Sequence, residues 1–154
     1  LKITSVGVRF PHRVSVHQSC HGLRELRLAP SSETRHPGVR DKMQELLLMV
    51  EDLQLLDVAR RDECCGFGGT FAVNEADVSA SMGRDRIADH AGTGSEVIVA
   101  GDMSCLMHLQ GLIHRQRTPI TVMHIAQLLM GRPLPPLPAT ASGSPVAATA
   151  TSVS

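Results

Sequence analysis

The sequence predicts an α/β fold: a small, mostly parallel sheet flanked by helices, with cysteine-bearing loops at the carboxyl ends of the strands. Three observations support this prediction. Short β-branched or apolar runs alternate with segments of helical period along the chain. Strands that alternate with helices pair in parallel through right-handed crossovers. The four cysteines all follow predicted strands, and the carboxyl ends of parallel strands share one edge of a sheet.

Four strands and five helices are predicted along the chain, four of the helices from their apolar periodicity. The strand segments are residues 13–17 (RVSVH), 54–58 (QLLDV), 96–100 (EVIVA) and 119–123 (PITVM). Apolar or small residues at helical spacing form one face of each helix: Val39, Met43, Leu46, Leu47 and Val50; Ala76, Ala80, Gly83, Ile87 and Ala91; Leu106, Leu109, Leu112 and Ile113; Ile125, Leu128 and Leu129. A further helix is expected after Cys20, with Arg24 and Glu25 on its solvated face.

Composition divides the chain into one domain, residues 1–130, and a tail, residues 131–154. A length of 154 residues fits a single domain, and 42% hydrophobic residues can supply its core. From Gly131 onward the chain carries five of its nine prolines among Ala, Ser and Thr, without a helical or strand period. This composition predicts a disordered tail. We also expect a surface loop around residues 29–38 (APSSETRHPG).

Charge and hydropathy exclude two classes of partner. The formal net charge is zero and only 2% of the residues are aromatic, so the basic patch and stacking rings of a nucleic-acid binder are lacking. The apolar runs are shorter than the roughly 20 residues of a membrane span. The first residues (LKITSVGVRF) lack the apolar core of a signal peptide. We therefore predict a soluble, cytoplasmic protein.

The cysteines are the main candidates for chemistry. Cys20, Cys64, Cys65 and Cys105 should meet at the carboxyl edge of the sheet, and in a cytoplasmic protein such a set indicates metal binding or catalysis more than disulfides. Gly66, Gly68 and Gly69 allow positive φ, so their backbone amides could turn toward thiolate or sulfide. Asp102 or Ser104 could cap the helix that carries Cys105, whose position near a helix N-terminus favours thiolate.

Adjacent cysteines also bear on the choice of metal. Neighbouring side chains point to different sides, so Cys64 and Cys65 suit two metal atoms better than one, as in an iron-sulfur cluster. Zinc is the alternative, because Cys105 and His108 have a spacing that zinc accepts. A thiol-disulfide enzyme is a third hypothesis. It is disfavoured because the chain has no CxxC motif and a vicinal disulfide is strained.

The eight histidines differ in their expected roles. His108 lies one helical turn after Cys105 and is a candidate ligand or hydrogen-bond donor. For His17 and His21, which flank Cys20, we favour loop orientation or solvent exposure over a ligand role. His124, at a strand-helix junction, is predicted to be structural. Polar surroundings predict surface positions for the other four: His12, His36, His90 and His114.

Three motifs carry a family resemblance. The segments HQSCHGLREL, ECCGFGGTFAV and DMSCLMHLQGL, in this order, resemble the cysteine-rich CCG-domain family, which includes the iron-sulfur subunits of lactate utilisation and glycolate oxidase and one of the subunits of heterodisulfide reductase. The resemblance is closest to the C-terminal half of the lactate-utilisation subunit and covers residues 14–129. It implies a [4Fe-4S] cluster held by the cysteines; in the heterodisulfide reductase branch that cluster is noncubane.

The resemblance also implies a function and partners. The chain is expected to be an electron-transfer component, without catalysis of its own, that serves oxidation of a 2-hydroxy acid such as L-lactate or glycolate. Its expected partners are the other subunits of such a complex, which could also hold it at the membrane periphery. No segment looks like a flavin or nicotinamide site, so hydride chemistry on the substrate would occur elsewhere.

The chain departs from the family pattern in two respects. His108 stands where the heterodisulfide reductase branch has the last cysteine of Cys-x-x-Cys, so a five-cysteine ligand set cannot be carried over whole. The predicted metal ligands are Cys20, Cys64, Cys65, Cys105 and His108. Family members usually contain two such halves, whereas this chain, which begins at Leu1, contains one set of motifs. We therefore interpret it as one half.

Overall fold

A computed structural model describes residues 4–30 and 41–138, and a four-stranded sheet lies at their centre. The strands are β1 (Arg13–His17), β2 (Gln54–Leu56), β3 (Val97–Ala100) and β4 (Thr121–His124). All are parallel, in the order β2-β1-β3-β4. The predicted α/β class is confirmed. Each strand begins within two residues of its predicted start, and β2 ends two residues earlier than predicted.

The register of the sheet brings the carboxyl ends of three strands level with one another. His17 of β1 pairs with Ala100 of β3, and Ala100 pairs with His124 of β4. Neighbouring strands lie about 4.8 Å apart. The loops that follow β1 and β3 therefore start side by side at one edge of the sheet.

Within the described residues, six helices flank the sheet. They are α1 (Cys20–Arg24), α2 (Lys42–Leu47), α3 (Thr70–Asn74), α4 (Ala76–Gly92), α5 (Met103–Gln116) and α6 (Ile125–Leu129). The predicted helices are all present, and the short α3 was not predicted. None of these helices combines the length and the apolar character that a membrane span requires.

The central strand β3 is buried on both faces. Val97 and Val99 belong to the core cluster that includes Met43 and Leu47 of α2, whereas Ile98 and Ala100 belong to the cluster formed with α4 and α5. All four β3 residues are fully buried, as expected for a parallel strand covered by helices on both sides. The core therefore consists of two apolar layers separated by the sheet.

Strand β1 alternates between apolar and polar buried residues. Val14 and Val16 pack in the α2 layer. Because side chains alternate along a strand, Ser15 and His17 face α4 on the other side of the sheet. There, Ser15 Oγ lies 2.7 Å from His90 Nδ1, and Arg86 Nε donates to His17 Nδ1 at 3.2 Å. The predicted surface position of His90 is wrong: its polar sequence neighbours gave no sign that this side of α4 packs on β1.

Helices α4 and α5 approach closely at Gly83. A Cβ atom at this position would lie 2.2 Å from Leu112 Cδ1 and 2.8 Å from His108 Nε2. Gly83 and Ile87 of the predicted small-residue face are buried, whereas Ala76 is exposed. The missing side chain of Gly83 thus allows α5 to lie directly against α4.

Several predictions fall outside the described residues. They concern most of the loop at 29–38, His36, Val39 and residues 139–154 of the predicted tail. Residues 131–138 form no helix or strand, but Leu134 packs against the core layer that contains α2 and α6. Packing thus continues beyond the predicted domain boundary at residue 130.

Candidate metal centre

The four cysteines come together at the carboxyl edge of the sheet. Cys20 begins α1 after β1, Cys64 and Cys65 lie between β2 and α3, and Cys105 lies in the first turn of α5 after β3. Each thiol lies close enough to the next to influence its pKa, in the order Cys20, Cys64, Cys65 and Cys105. All four are free of disulfides and line one cavity of about 290 Å³.

Backbone amides point at the sulfurs of the vicinal pair. The amide of Gly66 donates to Cys64 Sγ at 3.3 Å, and the amide of Phe67 donates to the Cys65 thiol. Gly66 has a φ of 88°, and a Cβ atom there would lie 2.6 Å from the carbonyl oxygen of Ser79. Gly68 and Gly69 also have positive φ and line the cavity. This turn presents N–H groups to sulfur, as an anion nest does.

The surroundings of Cys20, Cys64 and Cys65 favour the protonated thiols. Burial, followed by the hydrogen bond with Cys64, raises the pKa of Cys20 to about 11. Hydrogen bonding with Cys105 is the main reason why the pKa of Cys65 rises to about 11. The pKa of Cys64 is also raised well above the ordinary value, mainly by its hydrogen bond with Cys65 and by burial. A metal ion that binds here must displace thiol protons.

Asp102 positions the first turn of α5. It is the N-cap residue of this helix, and its side chain accepts a hydrogen bond from the backbone amide of Ser104 at 2.9 Å. Hydrogen bonds from the Ser104 side chain and from the amides of Ser104 and Cys105 lower the pKa of the Asp102 carboxyl, against the effect of burial. The predicted cap is confirmed, and it fixes the direction in which Cys105 enters the site.

His17 belongs to the site, although the sequence favoured loop orientation or solvent exposure. One ring nitrogen of His17 and the Sγ atoms of Cys65 and Cys105 lie within 4.8 Å of one another, and all three residues are buried. Burial, together with the positive charge of Arg86, lowers the pKa of His17 to about 3, so the ring is neutral. The sequence did contain an indication of this role. His17 is the last residue of a predicted parallel strand, at the carboxyl edge of the sheet where ligands bind.

Arg86 and Asp89 of α4 lie behind His17. Arg86 is fully buried, and its Nη1 donates to Asp89 Oδ2 at 2.7 Å and to the carbonyl oxygen of Arg60. Sequence reasoning missed this pair. An arginine next to Ile87, on an otherwise small and apolar helix face, was the available signal, because arginine is almost never fully buried without a partner.

His108 lies outside the three-atom group formed by His17, Cys65 and Cys105. Its Nε2 is 3.3 Å from the carbonyl oxygen of Ser79, and its ring centroid is 6.1 Å from that of Phe67. The ring therefore connects α5 with α4. The ligand role of His108 stays a prediction.

Three further histidines are placed as follows. His21 is exposed and lines the cavity. His124 caps α6 through Nδ1, which accepts from the amide of Ala126 at 3.1 Å, so its predicted structural role is confirmed. His114 is exposed, as predicted.

The parallel sheet and the four thiols at its carboxyl edge define a cysteine-rich α/β domain with a candidate metal centre. The family model of the cysteine-rich domain named CCG matches residues 14–110. The chain therefore belongs to the CCG cysteine-rich domain family, as its three motifs suggested.

Comparison with curated proteins shows similar chains in several bacteria. The protein is 39% identical over 129 residues to lactate utilization protein A of Exiguobacterium sp., which covers 84% of this chain and 48% of the relative. It is 37% identical over 129 residues to the protein of the same name in Lysinibacillus sphaericus, covering 84% and 52%. For that of Bacillus subtilis the identity is 35% over 132 residues, covering 86% and 51%. The chain thus spans about half the length of these relatives.

Proposed function

We propose that this chain is an iron-sulfur electron-transfer domain that serves the oxidation of a 2-hydroxy acid such as L-lactate. The observation that carries the proposal is the gathering of four free thiols around one cavity at the carboxyl edge of a parallel sheet. Membership of the CCG family and similarity to lactate utilization proteins A support the assignment to lactate metabolism.

The donor set suits an iron-sulfur cluster. Cys20, Cys64, Cys65 and Cys105 would be its thiolate ligands, since iron-sulfur clusters are held by cysteine sulfur. Cys64 contacts Cys20 whereas Cys65 contacts Cys105, so the adjacent cysteines serve different parts of one site. A bound cluster of the 4Fe-4S type would accept and release single electrons.

The glycine turn would support the cluster from the backbone. The amides of Gly66 and Phe67 already point at sulfur, and we propose that those near Gly68 and Gly69 face the cluster from the same loop. Hydrogen bonds to the sulfurs are among the features that set the potential of such a centre. His108 remains a proposed fifth ligand from α5.

Partners are proposed on the basis of length and family. Because the relatives are about twice as long, further ligands and shielding for the cluster would come from another half, on the same or a separate polypeptide. The other subunits of a lactate- or glycolate-oxidising complex would exchange electrons with this domain. We place this assembly in the cytoplasm, with membrane contact only through partners.

A zinc-binding interaction module is the second candidate. The sulfurs of Cys65 and Cys105 are close enough to bind a single ion, and a nitrogen of His17 lies within 4.8 Å of both. Zinc takes nitrogen and sulfur ligands in tetrahedral sites. Such a module would have no redox activity.

Anaerobic reconstitution separates the two candidates. The wild-type protein is incubated with iron and sulfide or with zinc, desalted, and assayed for iron, sulfide and zinc and by EPR after reduction. We expect iron and sulfide in equal amounts and an EPR signal on reduction, with both lost in Cys64→Ser and Cys65→Ser. His114→Ala, an exposed change on α5, is the control. Stable zinc together with no retained iron in the wild type would reject the iron-sulfur assignment.

A further inference from the structure

His17 and Arg86 form a fully buried polar pair behind the cysteines. One ring nitrogen of His17 lies within 4.8 Å of the sulfurs of Cys65 and Cys105. An imidazole in this position can serve a metal centre in two opposite ways. It can offer a lone pair to the metal, or it can offer an N–H group to a sulfur atom.

The contact with Arg86 decides between these two roles. A guanidinium carries only N–H donors and no acceptor. Because Arg86 Nε donates to His17 Nδ1 at 3.2 Å, Nδ1 must carry a lone pair, and the proton of the neutral ring must lie on Nε2. Nε2 is therefore the nitrogen left for the cysteines. It is buried and has no hydrogen-bond partner among the described residues.

A histidine that binds a metal shows the reverse arrangement. Its second nitrogen donates an N–H to a carboxylate, a carbonyl or water, which leaves the first nitrogen free to coordinate. In this protein the second nitrogen of His17 faces a cation that donates to it. Coordination through Nε2 would require the ring to lose its only proton, and a neutral imidazole holds that proton firmly.

Arg86 is held in place by other contacts. Its Nη1 donates to Asp89 Oδ2 at 2.7 Å and to the carbonyl oxygen of Arg60. Asp89 also accepts a hydrogen bond from the backbone amide of Arg60 at 3.2 Å. The guanidinium is thus fixed from α4 and from the chain that follows β2.

We propose that His17 donates its Nε2 proton to a sulfur of the centre bound by Cys65 and Cys105, and that Arg86 is the positioning residue that fixes this tautomer. The iron-sulfur identity of the centre rests on the proposed function above, whereas the donor role applies to a zinc site as well. An N–H···S bond stabilises the reduced, more negative state of an iron-sulfur cluster. It therefore raises the reduction potential.

Two substitutions of His17 separate a donor from a ligand. In His17→Gln, the side-chain amide nitrogen replaces Nε2 as an N–H donor but has no lone pair for a metal. His17→Leu removes both functions. We expect the glutamine variant to keep the metal affinity and midpoint potential of the wild type. The leucine variant should bind the centre about 10- to 100-fold more weakly, or hold it at a lower potential.

The tautomer is tested without any metal. In metal-free protein labelled with ¹⁵N-histidine, NMR should show His17 with its proton on Nε2. Arg86→Met should remove this preference, and Arg84→Met, an exposed change on the same helix, should keep it. A proton on Nδ1 in the wild type would overturn the proposal, and this measurement does not depend on whether Arg86→Met folds.

The outcomes also separate this proposal from the proposed function. If the wild type binds Co²⁺ or zinc but no cluster, the iron-sulfur assignment fails, and Co²⁺ titration of the three His17 forms still decides the donor role. If glutamine and leucine variants lose affinity equally, His17 is a ligand and the donor role is rejected. Three identical titrations and potentials would reject any role of His17 at the centre.

Discussion

At the scale of single residues, the adjacent cysteines have different surroundings. Cys65 is buried and contacts Cys105 at α5, whereas Cys64 is half-buried and contacts Cys20 at α1. Successive side chains point to different sides of the chain, so a vicinal pair can connect ligands from two other loops. The positive φ of Gly66 then turns the backbone so that its amide returns to Cys64.

The raised thiol pKa values predict that metal uptake releases protons. Because the pKa of Cys20 and of Cys65 is about 11 in the metal-free protein, these thiols are protonated at neutral pH. Metal binding must expel these protons, so the apparent metal affinity should rise with pH between about 6 and 9. Zinc titrations in weakly buffered solution, followed by a pH indicator, would measure the release. An affinity independent of pH would contradict this expectation.

The predicted ligand role of His108 is tested by two substitutions. If its imidazole is a ligand, His108→Ala should weaken metal binding, and His108→Cys should preserve or tighten it because thiolate is a good ligand at the same spacing from Cys105. Anaerobic metal titrations of the three forms provide the measurement. Superimposable curves would show that His108 is not a ligand. Its role would then be the contact with the Ser79 carbonyl, and the substitutions would change only the stability of the fold.

At the scale of secondary-structure elements, the contact between α4 and α5 holds the site together. Gly83 lies where the two helices meet, and an added Cβ would also lie 3.2 Å from the carbonyl oxygen of Cys65. The packing of α5 on α4 therefore affects the position of the loop that carries Cys64 and Cys65. Asp102 caps the N-terminus of the same helix.

A pair of glycine substitutions isolates the cost of crowding this contact. Replacing glycine by alanine in a helix should stabilise it by about 1 kcal/mol through helix propensity, at Gly83 and at Gly111 alike. Gly111 of α5 serves as the control because a Cβ atom there would meet open space. Only Gly83→Ala forces Leu112 and His108 to move, and overpacking costs about 1–3 kcal/mol. We expect Gly83→Ala to have the lower free energy of unfolding by that difference. Equal urea midpoints for the two variants would show that the helices separate at little cost.

At the scale of the whole molecule, two buried neutral imidazoles connect stability to pH. His17 and His90 are both fully buried, and their ring centroids are 6.1 Å apart. Burial, and then the charge of Arg86, lowers the pKa of His17 from 6.5 to about 3 and lowers that of His90 as well. The folded state therefore binds fewer protons than the unfolded state between about pH 6.5 and pH 3.

The sign of this linkage predicts loss of stability in acid. Above pH 6.5 both states hold neutral rings and the full stability is present; as the pH falls from 6.5 toward 3, protonation favours the unfolded chain. Each imidazole should lower the free energy of unfolding by about 1.4 kcal/mol per pH unit within that window. Urea unfolding of metal-free protein at several pH values tests this. His90→Gln should reduce the dependence of the unfolding free energy on pH relative to wild type and to the exposed control His114→Gln. Equal dependences in the three proteins would exclude His90 as a cause of the acid destabilisation.

Local sequence patterns were sufficient for the class of fold and for the cysteines. Alternating apolar runs marked β1, β3 and β4 to within two residues, and the spacing of Leu106, Leu109 and Leu112 marked α5. The position of each cysteine after a strand then implied a common edge. These inferences succeed because the hydrophobic periods of strands and helices depend on residues that are close together in sequence.

The parallel α/β class, the meeting of four cysteines and a cap at Asp102 or Ser104 are all predictable from the sequence, since each follows from local period, turn chemistry or strand direction. Long-range packing instead sets the strand order β2-β1-β3-β4, the burial of His17, Arg86 and His90, and the direction of the His108 ring. Which face of α4 meets β1 depends on packing between segments some 70 residues apart. The buried charge and imidazole on α4 are stabilised by hydrogen bonds with Asp89 of the same helix and with Arg60 and Ser15 from other parts of the chain.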